Sequence, residues 1–276
     1  MLGLILVSVG TFFDELSTLL GKWRVGRNEQ TIFSMAFLGL VWSTLWFLGI
    51  ILYKWQFVFS LESLPTFLVR LVAEIILTHI TTIAIIRSDR STFGFVRTGT
   101  IPLLLLADLI LGYTLTFSQV TGMVILVMVL LFAFLNHGLR KEGLRFVVLA
   151  TLLPVLSTAL YKYDITHFNS VEAEQFIVQL AMLIYLFVMA MRSSRENPLV
   201  LLTKPAFFVQ SFAAGIGGVL ISFAFMFAPA STVMAAKRAV AVLWAILSGN
   251  LYFREKGLIE KILLFAIVTV GIILLA

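Results

Sequence analysis

TFFDELSTLLGK, residues 11–22, returns 140 residues later as TLLPVLSTALYK, residues 151–162. Thr11, Leu16, Ser17, Thr18, Leu20 and Lys22 meet Thr151, Leu156, Ser157, Thr158, Leu160 and Lys162. At the same offset Pro65, Phe67 and Val69 meet Pro205, Phe207 and Val209, Ala84 meets Ala224, and Ser91-Thr92 meets Ser231-Thr232. Arg97 falls opposite Lys237. A constant offset across separate segments is the mark of a tandem duplication. It predicts two units, residues 1–138 and 139–276, within one integral membrane domain.

Composition supplies the solvent. Hydrophobic residues make up 61% of the 276 and charged residues 12%, and mean hydropathy is +1.06. A single soluble core could not hide so much apolar surface. The pI near 9.7 would suit nucleic acid, but the basic residues sit in short connectors between apolar runs, where they anchor helices at the membrane surface. No cysteine is present, which excludes disulfides and thiol chemistry. The first apolar run has no basic leader and carries Asp14-Glu15, so it reads as a retained helix and not a cleaved signal peptide.

A membrane-crossing helix needs about 20 largely apolar residues. Ten candidates follow, near 1–22, 30–53, 65–86, 91–111, 118–136, 144–161, 171–191, 205–226, 230–250 and 259–276. The expected fold is an all-α polytopic membrane protein. With five helices per repeat, an odd number, the second copy enters the bilayer from the opposite side, and a tandem repeat in sequence becomes an inverted repeat in space. That geometry suits alternating access around a midplane site. The connector lysines and arginines fall almost wholly in odd-numbered connectors, with only Lys54 and Lys162 in even ones. The positive-inside rule then places both termini outside the cytoplasm, in the cell membrane.

Charges within spans are the candidate chemistry. A Lys, Arg or Asp at the bilayer centre costs roughly 2.5–3.5 kcal/mol on the insertion scale. Lys237-Arg238 on the ninth span must therefore face a watery cavity, an acidic partner, or both. Thr11, Asp14, Thr18 and Lys22 form one polar stripe on the first span. The second copy keeps the hydroxyls and replaces the acid by Pro154. A desolvated Asp14 would suit proton coupling, whereas a nearby Lys237 or Arg238 would make it a counter-ion. Arg97, Lys237 and Arg238 together would bind a carboxylate or phosphate, unless they pair with Asp14, Glu15 or Glu74. Arg70 and Glu74 stand i,i+4 and are expected to pair on one helix face. Asp108, near a helix end, is expected to be wetted. His79 could relay protons or simply pack. Gly215, Gly217 and Gly218 allow close helix packing. Trp23, Trp42, Trp46 and Trp55 suit interfacial belts. No metal-ligand spacing, nucleophile elbow or Walker-type loop is present, so neither enzyme activity nor a cofactor is expected.

Two stretches, Ala84 to Gly122 and Ala224 to Gly271, resemble the second half of the repeat of the drug/metabolite transporter superfamily, specifically its EamA-like group. The first copy carries Pro102, Leu111-Gly112-Tyr113, Gln119 and Gly122. The second carries Lys237-Arg238, Phe253-Arg254-Glu255-Lys256 and Gly271-Ile272-Ile273-Leu274. Glu255 matches the group's glutamate, and Tyr113 replaces it in the first copy. Asp14, Thr18 and Lys22 are similar in spacing to the first helix of small multidrug resistance proteins, with Asp in place of Glu. The Lys237-Arg238 pair resembles the pair that plastid phosphate translocators turn toward phosphate. Members are commonly described with cytoplasmic termini, whereas the charge count here places both termini outside.

The resemblance implies a ten-helix secondary transporter of a small polar or anionic metabolite. Substrate is expected between the first, third, fourth, sixth, eighth and ninth spans, at Asp14, Thr18, Arg97, Lys237 and Arg238. Asp14, Glu15, Glu74 and His79 are the candidates for ion coupling, possible protons included. The alternatives are a proton-coupled exporter of cationic drugs or amines, and a non-transporting membrane partner or flippase on the same fold. The broken repeat pairs, Asp14 with Pro154, Arg70 with Gln210, Glu74 with Ala214 and Thr98 with Arg238, are where substrate and coupling ion are expected.

Overall fold

A computed structural model describes residues 1–87, 100–135 and 144–253, together with Leu263, Ala266, Ile267, Thr269–Gly271, Ile273 and Leu274. The described residues form helices and turns, with no strand among them. The principal helices are α1 (Leu2–Gly26), α2 (Ile32–Lys54), α3 (Leu64–Arg87), α4 (Thr100–Ile110), α5 (Phe117–Leu135), α6 (Leu144–His167), α7 (Val171–Ser193), α8 (Pro205–Ala224) and α9 (Ala230–Phe253). Among the described residues, five helical segments are long and apolar enough to cross a membrane: α1, α2, Leu61–Thr81, α7 and α8. The expected span 91–111 is described only from Thr100 onward, and α6 continues past the expected end at 161 to His167.

Local chemistry sets the helix starts. Thr31 caps α2 by accepting a hydrogen bond from Ser34 N. The Glu196 carboxylate, contributed from far along the chain, accepts from Thr31 N at 2.8 Å and Thr31 Oγ1 at 2.6 Å. An acid at a helix N-terminus satisfies free N–H groups and opposes the positive dipole end. Ser170 caps α7 in the same manner, with Glu172 and Glu174 in the first turn. Pro205 opens α8 at a position whose N–H needs no intrahelical partner.

Packing runs through small residues. In lipid no hydrophobic force drives apolar helices together, so backbones must approach closely enough for dispersion contact. Gly3, Gly10 and Ser17 of α1 are buried at seven-residue spacing, as are Gln210, Gly217 and Ala224 of α8. A Cβ on Gly217 would lie 2.7 Å from Gly10 O, and one on Gly3 would lie 3.3 Å from Ala224 O. The two helices therefore cross antiparallel with their backbones nearly in contact. Gly215 and Gly218 bring α8 equally close to Trp42 and Ser43 of α2. The packing expectation for these glycines holds. Trp42 departs from the interfacial expectation: it lies mid-helix with its ring edge-on to Phe208 and Phe212 of α8. Trp23, Trp46 and Trp55 remain exposed.

The remaining contacts arrange the helices around α1 and α9. Helix α1 packs on α8 and α9, α2 on α7 and α8, α3 on α6, and α4 on α6 and α9. Gly122 of α5 meets Gly271 and Leu274, so two residues that carry the family resemblance touch. The largest buried apolar cluster joins Val7, Leu104, Leu126, Tyr161, Ile221 and Ala236.

Because Gly217 has no room for a methyl, Gly217→Ala is expected to destabilise the protein by about 1–3 kcal/mol, the range for overpacking. Gly39 has nothing within 4 Å of an added Cβ, so Gly39→Ala should be neutral or stabilising by up to about 1 kcal/mol, as helix glycines are. Thermal unfolding in detergent checks both. Equal effects at the two positions would contradict this account of the crossing.

Candidate functional site

Asp14 occupies the middle of α1, and the crossing with α8 fixes where it points. Taking 100° per residue, the buried seam of Gly3, Gly10, Ser17 and Gly21 occupies one arc of the helix. Leu2, Ile5, Val9 and Trp23 are exposed on the far side and form the lipid face. Thr11, Asp14, Thr18 and Lys22 fall beside the seam, away from the lipid face. A Cβ on Gly217 would lie 2.9 Å from Asp14 N, so the backbone carrying the carboxylate is seated directly on α8.

From that seat Asp14 meets α9. Lys237 Nζ lies 3.1 Å from Asp14 Oδ2, with side chains 26% and 40% exposed respectively. The two candidate clusters of the sequence, an acid stripe and a cationic pair, thus meet at one ion pair. Glu15 and Thr18 on α1 and Arg238 on α9 are half-buried beside it in sequence. Phe12 stacks obliquely on Trp244, with ring centroids 4.6 Å apart, and closes the α1–α9 contact on another side. Arg97 lies outside the described residues.

The other candidates sit across α3. Ser157 of α6 donates a short hydrogen bond to Glu74. His79 Nδ1 is 2.6 Å from Tyr185 OH on α7, and the Phe33 ring lies 6.1 Å from the imidazole. His79 is therefore hydrogen-bonded between α3 and α7. Glu74 does not pair with Arg70, contrary to the i,i+4 expectation.

Arg70 turns instead to Glu174 of α7, Nη1 to Oε1 at 2.5 Å, with both residues almost wholly buried. Its guanidinium also covers the Tyr161 ring at 4.3 Å. Asn169 donates to the second oxygen of Glu174 and to Ser63 Oγ. Asp108 is likewise not wetted: it is fully buried and accepts from Ala230 N at 3.2 Å and Ser231 N at 2.6 Å, capping α9. A carboxylate beats water at that place because α9 begins inside the bundle with unpaired N–H groups.

A further polar lock ties the C-terminal end of α1 to the first turns of α8. Arg24 Nη1 donates to Gln210 Oε1 at 2.7 Å, and Gln30 Nε2 donates to Gly21 O at 3.0 Å and Gln210 Oε1 at 3.2 Å. Arg24, read as a connector cation, is in fact within α1 and 5% exposed. These locks were missed as a group, yet a signal existed. At the 140-residue offset Arg24 corresponds to Asp164 and Gln210 to Arg70, and both pairs of positions lie in polar junctions. Of the broken repeat pairs, Arg70 and Gln210 serve helix junctions.

A buried pair broken on one side leaves an uncompensated charge, at about 3–5 kcal/mol. Arg70→Met and Glu174→Met are each expected to lose stability in that range, and the double variant should recover most of the loss. Unfolding in detergent measures this, and single-variant losses below about 1 kcal/mol would contradict a buried lock.

No family model matches this chain, and no curated protein matches it. Among 24 solved chains that match its fold, one crystal structure superposes with a TM-score of 0.62 over 99% of this chain and 95% of its own, at 11% identity. At that identity the likeness speaks for the shared fold alone.

Proposed function

We propose that this chain is a secondary active transporter of a small polar or anionic metabolite, working by alternating access around the Asp14–Lys237 pair. The carrying observation is that pair: opposite charges joining the middle of α1 to the second turn of α9, both partly open. A merely structural ion pair in a membrane protein gains from complete enclosure, as Arg70 and Glu174 have here. A partly open charge pair within an apolar helix bundle is where a polar solute could find a partner.

The packing pairs support an inverted repeat as its frame. Exchanging halves at the 140-residue offset turns the α1–α8 contact into α6–α3, α1–α9 into α6–α4, and α2–α8 into α7–α3. Each partner contact is present. The resemblance to the EamA-like group, ten spans, a cell-membrane location and termini outside the cytoplasm belong to the same proposal. Lys237 with Arg238 supplies the cationic side that an anionic substrate would engage by displacing Asp14. The greater exposure of Asp14 favours a second reading, in which an amine displaces Lys237 and Asp14 carries the coupling proton.

Solute flux in proteoliposomes decides between them. Under the leading reading Lys237→Gln lowers anionic-solute flux at least about tenfold, equivalent to 1.4 kcal/mol, while stability changes by less than about 1 kcal/mol. Loss of cation flux in Asp14→Asn, with anionic-ligand thermal shifts unchanged in Lys237→Ala and Arg238→Ala, selects the second reading. Absence of flux for every solute class in the wild type rejects transport.

A further inference from the structure

Asp164 is a fully buried carboxyl with too few donors. It lies beyond the span 144–161, in the last turns of α6, at the junction with α3 and α7. Thr66 Oγ1 stands 2.6 Å from Asp164 Oδ1 and 2.8 Å from Ser63 O. A hydroxyl carries one hydrogen, so it can serve only one of these acceptors fully. Asp164 Oδ2 is buried with no donor at all. Across the junction Glu174 stands within hydrogen-bonding reach of Asp164, but both Glu174 oxygens already accept, one from Arg70 and one from Asn169.

The charges around it leave the same deficit. Arg70 of α3 is spent on Glu174. On α6 itself Lys162 Nζ is turned to Phe225 O at 2.5 Å, and His167 is exposed and bonded to Tyr163 O. Asp108 of α4 caps α9, Lys237 of α9 holds Asp14, and Glu172 of α7 holds Lys54 at 2.9 Å. Two buried carboxyls therefore share one guanidinium. A buried anion without a partner is far costlier than its neutral acid.

We propose that Asp164 and Glu174 share one proton, making the buried junction of α3, α6 and α7 a proton-binding site distinct from the Asp14–Lys237 pair. The proton comes from solvent, resides on Asp164 Oδ2 and is donated toward Glu174, which is paired with Arg70. Loss of the proton leaves two carboxylates facing each other and loosens the junction. This site stands whether or not the chain transports a solute.

Burial is the largest cause that raises the Asp164 carboxyl, from 3.8 to about 6, with Glu174 adding to it and Thr66 and Arg70 opposing. A folded-state value above the unfolded one means the native protein holds the extra proton between them. This carboxyl's contribution to stability is therefore full below about pH 4 and is lost as pH rises through about 6.

Thermal unfolding in detergent across this range, on wild type and Asp164→Asn, tests the site. The Asn amide donates to Glu174 as the neutral acid does. Above pH 6 Asp164→Asn should match or exceed the wild type, and the wild-type-minus-variant difference should fall with rising pH. A variant less stable than wild type above pH 6, or a flat difference, overturns the proposal. Infrared spectra of the wild type guard against a variant that fails to fold. A protonated-carboxyl band that is present at pH 5 and lost by pH 8 supports the shared proton, and its absence at pH 5 overturns it. Stabilisation by sodium chloride but not choline chloride at pH 8, abolished in Asp164→Asn, would assign the site to sodium and also overturn it.

Discussion

The backbone contact between Gly10 of α1 and Gly217 of α8 is the constraint on which the rest of the molecule depends. In lipid, burying another leucine gains little, and helices are held by close approach and by polar groups that find each other. With no side chain at either glycine, α1 sits down on α8, and the next turn of α1 carries Asp14 to the edge of the seam. Only from there can the carboxylate reach Lys237 of α9. The glycines and the ion pair form a single arrangement, the first supplying position and the second chemistry.

Around that centre the polar residues divide by exposure. Arg24 with Gln210, Arg70 with Glu174, and Asp108 with the start of α9 are enclosed, and each ties two helices at an end. Asp14, in the middle of α1, and Lys237, two turns into α9, are partly open. Enclosed pairs fix register, because breaking one strands a charge in a low-dielectric interior. A partly open pair can exchange partners without that penalty. Under the proposed function, the enclosed pairs would hold the helix junctions while the partly open pair exchanges partners.

Helical class and the packing role of Gly215, Gly217 and Gly218 were legible in the sequence because both are local; ten spans were expected, and five segments among the described residues are long and apolar enough to cross a membrane. Asp14, Lys237 and Arg238 were legible as costly charges. Partners were harder. Spacing along one helix reveals only its own neighbours, so Arg70 was matched with Glu74 when its partner lies 104 residues away on α7. Asp164 and Asn169 fall between the expected spans 144–161 and 171–191, and Glu174 in the first turn of the latter, where water usually satisfies polar groups. The structure buries them, since α3, α6 and α7 converge there. The 140-residue offset relates Arg24 to Asp164 and Gln210 to Arg70; the second is one of the broken repeat pairs expected to hold substrate or ion, and both lie in helix junctions.

The chain's lack of cysteine gives a clean test of the claim that the Asp14 stripe lines a path open in turn to both sides. Thr18→Cys, reconstituted in sealed proteoliposomes of defined orientation, is treated with a membrane-impermeant thiol reagent from one side or the other. Alternating access predicts modification from either side, with pH or bound solute shifting reactivity from one side toward the other. Modification from neither side, or from the same single side under every condition, would contradict it.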